Sequence, residues 1–168
     1  MNEEELNYLA GLFDGEGCIQ IAHNKPQKGK RTEQHTLTCR VAMTNKETVE
    51  YFLVFGGGIH IKRASKGNPK WKDQYAWTVS SNKALRFLEQ MRPYLRLRQP
   101  EADCGIQFQL YRRSSPYGNG EFGWGRNPIT KEELERREWF REELRRLKDS
   151  RFPLRSWYND ERTRTMVA

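Results

Sequence analysis

The chain has 168 residues, of which 36% are hydrophobic, and its 30 Lys and Arg outnumber 22 Asp and Glu. This composition excludes a disordered chain, and the lack of an apolar run of about 18 residues or a signal-like start argues against a membrane or secreted protein. We therefore expect one intracellular domain over residues 1–168 with no membrane partner. The net charge of +8 suits a polyanion such as DNA, although an ordinary basic surface explains it equally well.

A helix is predicted near the start of the chain, because apolar residues from Leu6 to Phe13 recur at helical spacing. The glycines at 15 and 17 then end it. Two strands are predicted next, at residues 18–22 and 34–43. The second strand alternates apolar and polar residues, which is typical of a sheet with one covered and one open face.

The same order of elements is then repeated along the chain. Thr44 and Glu47 have the spacing of a capping box and open a predicted helix that runs to Phe55. The remaining predicted elements are strands at 59–64 and 74–80 and a helix at 82–91. The order of elements in residues 1–99 therefore predicts a mixed α+β core of αββαββα type around one four-stranded antiparallel sheet.

Residues 100–168 are predicted to form a helical region followed by a tail. Pro100 suits the first turn of a helix that ends near Arg113, and the stretch 114–127 is predicted to be a loop. Thr130 and Glu133 have capping-box spacing and open a charged helix through Lys148. Its mixed charges favour a solvated cover over a helix that enters a DNA groove.

Neither the cysteines nor the histidines show the spacing of a zinc site. The cysteines at 18, 39 and 104 are scattered, which favours reduced core thiols over disulfides. The histidines at 23, 35 and 60 are also widely separated. The sequence alone gives zinc no support.

The segment Leu9-Ala-Gly-Leu-Phe-Asp-Gly-Glu-Gly17 has an unusual combination of small and acidic residues. Its small side chains would let a second helix approach closely. Glu16 lies at the negative end of the helix dipole, where a divalent cation would compensate its charge. Two such helices side by side would bring two Glu16 carboxylates together, which metal ions would stabilise. A helix-to-strand turn with an exposed Glu is the simpler alternative.

This segment resembles the signature of the LAGLIDADG homing endonucleases at nearly every position. It differs at Phe13, Gly15 and Glu16, where that family usually has Ile, Ala and Asp. The order of elements up to Met91 and the stretch 92–99 are also similar to the family. The resemblance implies a sheet that grips double-stranded DNA in the major groove. It also implies a homing endonuclease that cuts both strands at a long target and so promotes mobility of its host intron.

The resemblance further implies roles for individual residues. Glu16, with Gly15 beside it, would bind Mg²⁺ as a cofactor, and Mn²⁺ or Ca²⁺ would fit the same sites. Arg98 matches the family's basic residue and would stabilise charge on the scissile phosphate, with an ordinary phosphate contact as the alternative. The family's water-positioning polar residue has no certain match, and the nearest candidates are Met43, Asn45 and Lys46.

A single copy of the motif supplies half of an active site. The resemblance therefore implies a homodimer and a partly palindromic target. The residues expected at the dimer contact are Ala10, Gly11, Asp14 and Gly15. For any one of the small residues, close packing within the monomer is the alternative.

The predicted DNA-contacting residues lie on the polar strand face and in two basic turns. Gln and Asn suit adenine, whereas Arg and Lys suit guanine. The strand residues are Gln20, Asn24, Gln34, Thr36, Thr38, Arg40, His60, Lys62, Gln74, Ala76 and Thr78. The turn residues are Lys25, Lys28, Lys30, Arg31, Lys66, Lys70 and Lys72. For any single position, a solvated side chain without a base contact is an equal alternative.

Two other functions remain open at this point. A splicing maturase or DNA-binding regulator would keep the fold and lose cleavage, and RNA would be a partner only of the maturase. Retention of an acid at Glu16 argues against a degenerate member. An unrelated basic α+β domain would be a monomer without metal dependence.

Overall fold

The computed structural model describes residues 1–24, 33–64, 71–117 and 129–149. The helices are α1 (Glu3–Glu16), α2 (Lys46–Glu50), α3 (Ser81–Met91), α4 (Gln99–Ser114) and α5 (Lys131–Lys148), with a 3₁₀ helix at Tyr51–Phe55. The strands are β1 (Gly17–Asn24), β2 (Gln34–Met43), β3 (Gly58–Lys62) and β4 (Gln74–Ser80). No helix in these ranges is long and apolar enough to cross a membrane.

The four strands form one antiparallel sheet in the order β1-β2-β4-β3. This confirms the predicted α+β fold with a single four-stranded sheet. The observed bounds of β2 and β4 are those predicted from the alternation of their residues. By contrast, β3 begins at Gly58 and ends at Lys62, so it stops two residues earlier than predicted.

One face of the sheet carries the core and the other is open. On β2, Leu37, Cys39 and Val41 are fully buried, whereas Arg40 between them is exposed. Every second side chain along a strand points to the same face of the sheet. This alternation therefore places the apolar side chains on the face that the helices cover. Ala76 departs from the expected pattern, since it lies on the open face but keeps only 5% of its surface accessible. Its small side chain is flanked by neighbours on β2 and β3.

The helices all contribute to the core on the covered face. Leu9, Ala10 and Phe13 of α1 are buried there, together with residues of α3, α4 and α5. Gly17 is required where α1 meets β1, because an added Cβ would lie 2.3 Å from the Phe13 carbonyl oxygen. Gly105 lets α4 approach the sheet closely, with Leu37 3.1 Å from where its Cβ would be.

The predicted helix 44–55 differs in detail from the observed one. Asn45 rather than Thr44 is the N-cap, and its side chain accepts the Thr48 N–H at 2.9 Å. The helix also changes to 3₁₀ geometry after Glu50. The segment then turns through two glycines at positive φ, 56 and 57, and the Gly56 carbonyl accepts a hydrogen bond from Trp77 Nε1 at 2.7 Å.

The charged helix α5 covers α4 and the edge strand β1, as a cover helix was predicted to do. The Thr130 side chain caps its first turn by accepting the Glu133 N–H. The Glu133 carboxylate is buried and pairs with Arg137 at 2.7 Å and with the Tyr111 hydroxyl. The buried side of α5 therefore includes an ion pair besides its apolar stripe. Most of the predicted loop 114–127 lies outside the described residues.

Candidate active site and nucleic-acid interface

Glu16 is the last residue of α1 and lies at the solvent-exposed end of that helix. The helix is fixed at its start by a capping box between Asn2 and Glu5, with bonds of 2.8 and 2.9 Å. At its end, the Gly17 N–H bonds the Phe13 carbonyl. The capping box at its start and this hydrogen bond at its end hold α1 in place, and Glu16 therefore lies at a fixed position immediately before β1.

Asp14 closes a turn within the subunit. Its carboxylate accepts the backbone N–H groups of Arg96, Leu97 and Arg98 at 2.8, 3.2 and 3.0 Å. Sequence reasoning expected this residue at a dimer contact and missed the capping role. The side chain therefore joins the end of α1 to the turn that precedes α4.

Arg98 lies against the C-terminal end of α1. Its Nε donates to the carbonyl oxygens of Phe13 and Asp14 at 2.9 and 3.1 Å. Its Nη1 pairs with Glu101 at 3.2 Å, and 21% of the side chain stays exposed. Since α1 has no basic residue in its last turn, Arg98 supplies the positive charge that its dipole favours there.

Glu101 is a buried partner that the sequence did not single out. It keeps 7% of its surface exposed. Burial raises the pKa of its carboxyl group, and the positive charge of Arg98 opposes that shift. The spacing of three residues from Arg98 at the start of a helix was the only signal that could have identified it. Arg98 is thus anchored on two sides, by α1 and by α4.

The open face of the sheet carries the predicted base-reading side chains in cross-strand rows. Arg40 pairs with Cys18 and Thr78, Thr38 with Gln20, and Gln74 with Lys62. The exposed members are Gln20, Asn24, Gln34, Arg40, His60 and Lys62, and the half-buried ones are Thr36, Thr38, Gln74 and Thr78. The structure therefore brings these predicted residues onto one face, with Ala76 buried among them.

Only part of the predicted turn set can be located. Lys72 is exposed just before β4. The other predicted turn residues, Lys25, Lys28, Lys30, Arg31, Lys66 and Lys70, lie outside the described residues.

The outer face of α1 is exposed. Tyr8 keeps 55% of its surface accessible, and Gly11 and Gly15 are also exposed. A Cβ added at either glycine would meet no atom within 4 Å among the described residues. Packing inside the subunit therefore does not require their small size. Ala10, which was expected at the same contact, is fully buried and packs inside the subunit.

The three water-positioning candidates are engaged locally. The Asn45 side chain caps α2, and Lys46 pairs with Glu50 at 3.2 Å. Met43 packs at the margin of the core.

The end of α1 has oxygen donors suited to a hard divalent cation. Glu16 is exposed there, and the last carbonyl groups of a helix lack partners in its own hydrogen-bond ladder. Arg98 already bonds the carbonyl groups of Phe13 and Asp14. Mg²⁺ and Ca²⁺ prefer such oxygen ligands.

Comparison with known proteins agrees with this arrangement. A family model described as LAGLIDADG endonuclease matches residues 9–99, more than half of the chain. DNA endonuclease I-CreI from Chlamydomonas reinhardtii is 32% identical over 112 residues, which cover 63% of this chain and 63% of that protein. The chain thus matches less than two thirds of the length of that relative.

Two solved structures share the fold at low sequence identity. Homing endonuclease I-CvuI in complex with the I-CreI target has a TM-score of 0.64 at 17% identity, covering 92% of this chain and 89% of that one. The archaeal intron-encoded homing endonuclease I-Vdi141I complexed with DNA has a TM-score of 0.65 at 15% identity, covering 92% and 90%. The resemblance seen in the motif is confirmed, and the chain is a member of the LAGLIDADG endonuclease family.

Proposed function

We propose that the chain is a site-specific homing endonuclease that cuts both strands of a long, partly palindromic DNA target as a homodimer. One observation carries this proposal: an exposed acid, Glu16, ends α1 immediately before a sheet whose open face is lined with polar and basic side chains. Cleavage would promote mobility of a host intron, and the relative I-Vdi141I is described as intron-encoded.

The open face supplies sequence readout. From Cys18 to Asn24, β1 extends over six residue steps, which is about 20 Å and about six base pairs of B-form DNA. Exposed Gln20, Asn24 and Gln34 suit adenine, and Arg40 and Lys62 suit guanine. The net charge of +8 supports the accompanying phosphate contacts.

The homodimer forms through the outer face of α1. Gly11 and Gly15 leave open space beside the helix, so a second helix backbone can approach closely there. A two-fold axis along this contact brings two Glu16 residues together and doubles the reading surface. This symmetry is the reason for expecting a partly palindromic target.

Glu16 and the Gly15 carbonyl would hold a divalent ion, with Mg²⁺ as the expected cofactor. When bound, such an ion lowers the pKa of water and stabilises the leaving 3′ oxygen. I-CvuI was determined with the I-CreI target in 2 mM Mg, where the DNA is described as not cleaved, and with its own target in 2 mM Ca. Divalent ions thus accompany DNA in these structures, and Mn²⁺ and Ca²⁺ are other candidate occupants.

Arg98 stabilises negative charge on the scissile phosphate. Among the described residues, its Nη2 has no hydrogen-bond partner, while Nε and Nη1 anchor the side chain. The guanidinium stays charged, so it acts as an electrostatic group and not as a general base. Asp14 positions Arg98 through the backbone of the turn.

The test is cleavage of a library of partly palindromic DNA sites by the purified protein. We expect discrete double-strand breaks in the presence of Mg²⁺ and none in EDTA. Tight binding to a long DNA site without cleavage would overturn the enzyme assignment in favour of a regulator. Preferential binding of structured RNA would instead indicate a maturase.

A further inference from the structure

Two histidines and a glutamate meet at the far end of β1 from Glu16. His23 and His35 are directly opposite each other in the β1–β2 register, and their rings stack with centroids 4.5 Å apart. Glu138 of α5 faces both: its Oε2 lies 2.9 Å from His35 Nε2 and 3.8 Å from His23 Nδ1. His23 and His35 are 12 residues apart in the chain, so the sequence alone does not reveal that they meet.

We propose that His23, His35 and Glu138 bind a Zn²⁺ ion, with solvent as the fourth ligand on the exposed side. Zinc ligands at about 2.0–2.1 Å in a tetrahedron lie about 3.3 Å from one another. The two measured separations, 2.9 and 3.8 Å, lie on either side of that value. All three ligand atoms lie within 4.8 Å of one another. The rings are nearly parallel, with an interplanar angle of 9°, so metal binding requires a rotation about χ2, a soft torsion in histidine, to bring the lone pairs together.

The surroundings of His23 match the outer shell of metal sites, whereas Nδ1 of His35 has no hydrogen-bond partner among the described residues. His23 Nε2, on the other side of its ring, lies 2.8 Å from the Glu33 carboxylate. A carboxylate in this position accepts the ring N–H and leaves Nδ1 unprotonated toward the metal. The second oxygen of Glu138, Oε1, accepts from Arg141. Oε2 is thereby left for the histidines.

Ligand type favours zinc over the harder divalent ions, because nitrogen ligands suit zinc better than Mg²⁺ or Ca²⁺. The carboxylates of Glu33 and Glu138 supply negative charge, of which Arg141 offsets part at Glu138.

The site has an open side through which an ion can enter. The His35 side chain is 2% exposed, but His23 and Glu138 are 21% and 32% exposed. His23 also lines a cleft of about 380 Å³ between β1 and α5, whose lining includes the cationic side chains of Arg141, Arg145 and Lys148. A bound ion would join β1, β2 and α5, about 20 Å along β1 from the Glu16 end. The proposal does not depend on DNA cleavage.

The test uses the full chain, stripped of metal with a chelator and titrated with Zn²⁺ or with Co²⁺ as a coloured probe. We expect one ion per subunit, tetrahedral Co²⁺ absorption, and a rise in Tm on adding Zn²⁺. His23→Gln and Glu138→Gln, at the two less buried ligands, should each weaken zinc binding by more than about 100-fold, and Glu33→Gln by about 10–100-fold.

His60→Gln is the matched control, because His60 is exposed on the open face and should leave zinc affinity unchanged. Circular dichroism without metal verifies that each variant is folded. The proposal is overturned if the folded wild type binds no zinc at micromolar concentrations. It is also overturned if the ligand variants bind zinc as tightly as the wild type, which would indicate that the cluster is a hydrogen-bonded network only.

Discussion

Asp14 and Arg98 bind each other through both carboxylate and carbonyl groups. The Asp14 carboxylate accepts the Arg98 backbone N–H at 3.0 Å, and Arg98 Nε donates to the Asp14 carbonyl at 3.1 Å. These two hydrogen bonds, both donated by Arg98, fasten the turn at 96–98 to the end of α1, two residues before Glu16. The two acids of the motif therefore have different roles, Asp14 in the fold and Glu16 at the exposed helix end.

Replacing the two acids should separate these roles. Asp14→Ala removes an acceptor of three backbone N–H groups, and we expect the free energy of unfolding to fall by about 1–3 kcal/mol. Glu16→Gln changes an exposed side chain and should stay within about 0.5 kcal/mol of wild type. Urea denaturation without metal measures both. Equal stability of wild type and Asp14→Ala would contradict the capping role.

Enlarging Gly11 should dissociate the proposed dimer. A Cβ at Gly11 meets no neighbour within 4 Å among the described residues. The Gly11→Leu variant should therefore fold as a monomer, because the added side chain keeps the second helix away. Sedimentation velocity measures the association state. Glu89→Leu, at an exposed position of α3, is the control and should remain dimeric. A dimeric Gly11→Leu protein would place the subunit contact elsewhere.

Arg40 should read one base pair in each half of the target. Arg40→Ala is expected to cost about 1–3 kcal/mol of discrimination at that position and to relax its base preference. Binding to a set of single-substituted targets at fixed salt measures this profile. Arg86→Ala, exposed on α3, should change neither the profile nor the affinity. An unchanged profile in Arg40→Ala would remove this residue from the reading surface.

The cysteines should differ sharply in reactivity. Burial raises the pKa of the Cys39 thiol well above its usual value and that of Cys104 to about 12. Both thiols are therefore protonated at pH 8, and the reactive thiolate is scarce. Cys18 is half-buried, so a thiol reagent should label it first in the native protein. Mass spectrometry identifies the labelled site, and rapid labelling of Cys104 would contradict this burial.

The regular alternation of β2 and β4 made their bounds and faces predictable, because burial on one side imposes a period of two. The cap of α2 was not predictable to the residue. Thr44 and Asn45 are both good capping residues, and the fold selects Asn45. Ala10 was ambiguous for a similar reason, since a small residue suits the core of a subunit as well as a contact between two subunits.

Features that depend on register or on distant helices could not be read from the chain. His23 and His35 face each other only once β1 and β2 are aligned about their connection. Glu138 reaches them because α5 lies along β1. The buried pair of Glu133 and Arg137 looked like part of a solvated helix surface. In each case the sequence lacks the tertiary information that decides the contact.

The central claim is that Glu16 serves cleavage and not folding or recognition. The direct measurement compares wild type and Glu16→Gln on the target selected from the DNA library, with binding measured in Ca²⁺ and cleavage in Mg²⁺. Glu89→Gln is the matched control for loss of an exposed carboxylate. We predict that Glu16→Gln binds with an affinity close to wild type and cleaves at least about 100-fold more slowly. Cleavage by Glu16→Gln at the wild-type rate would contradict the account.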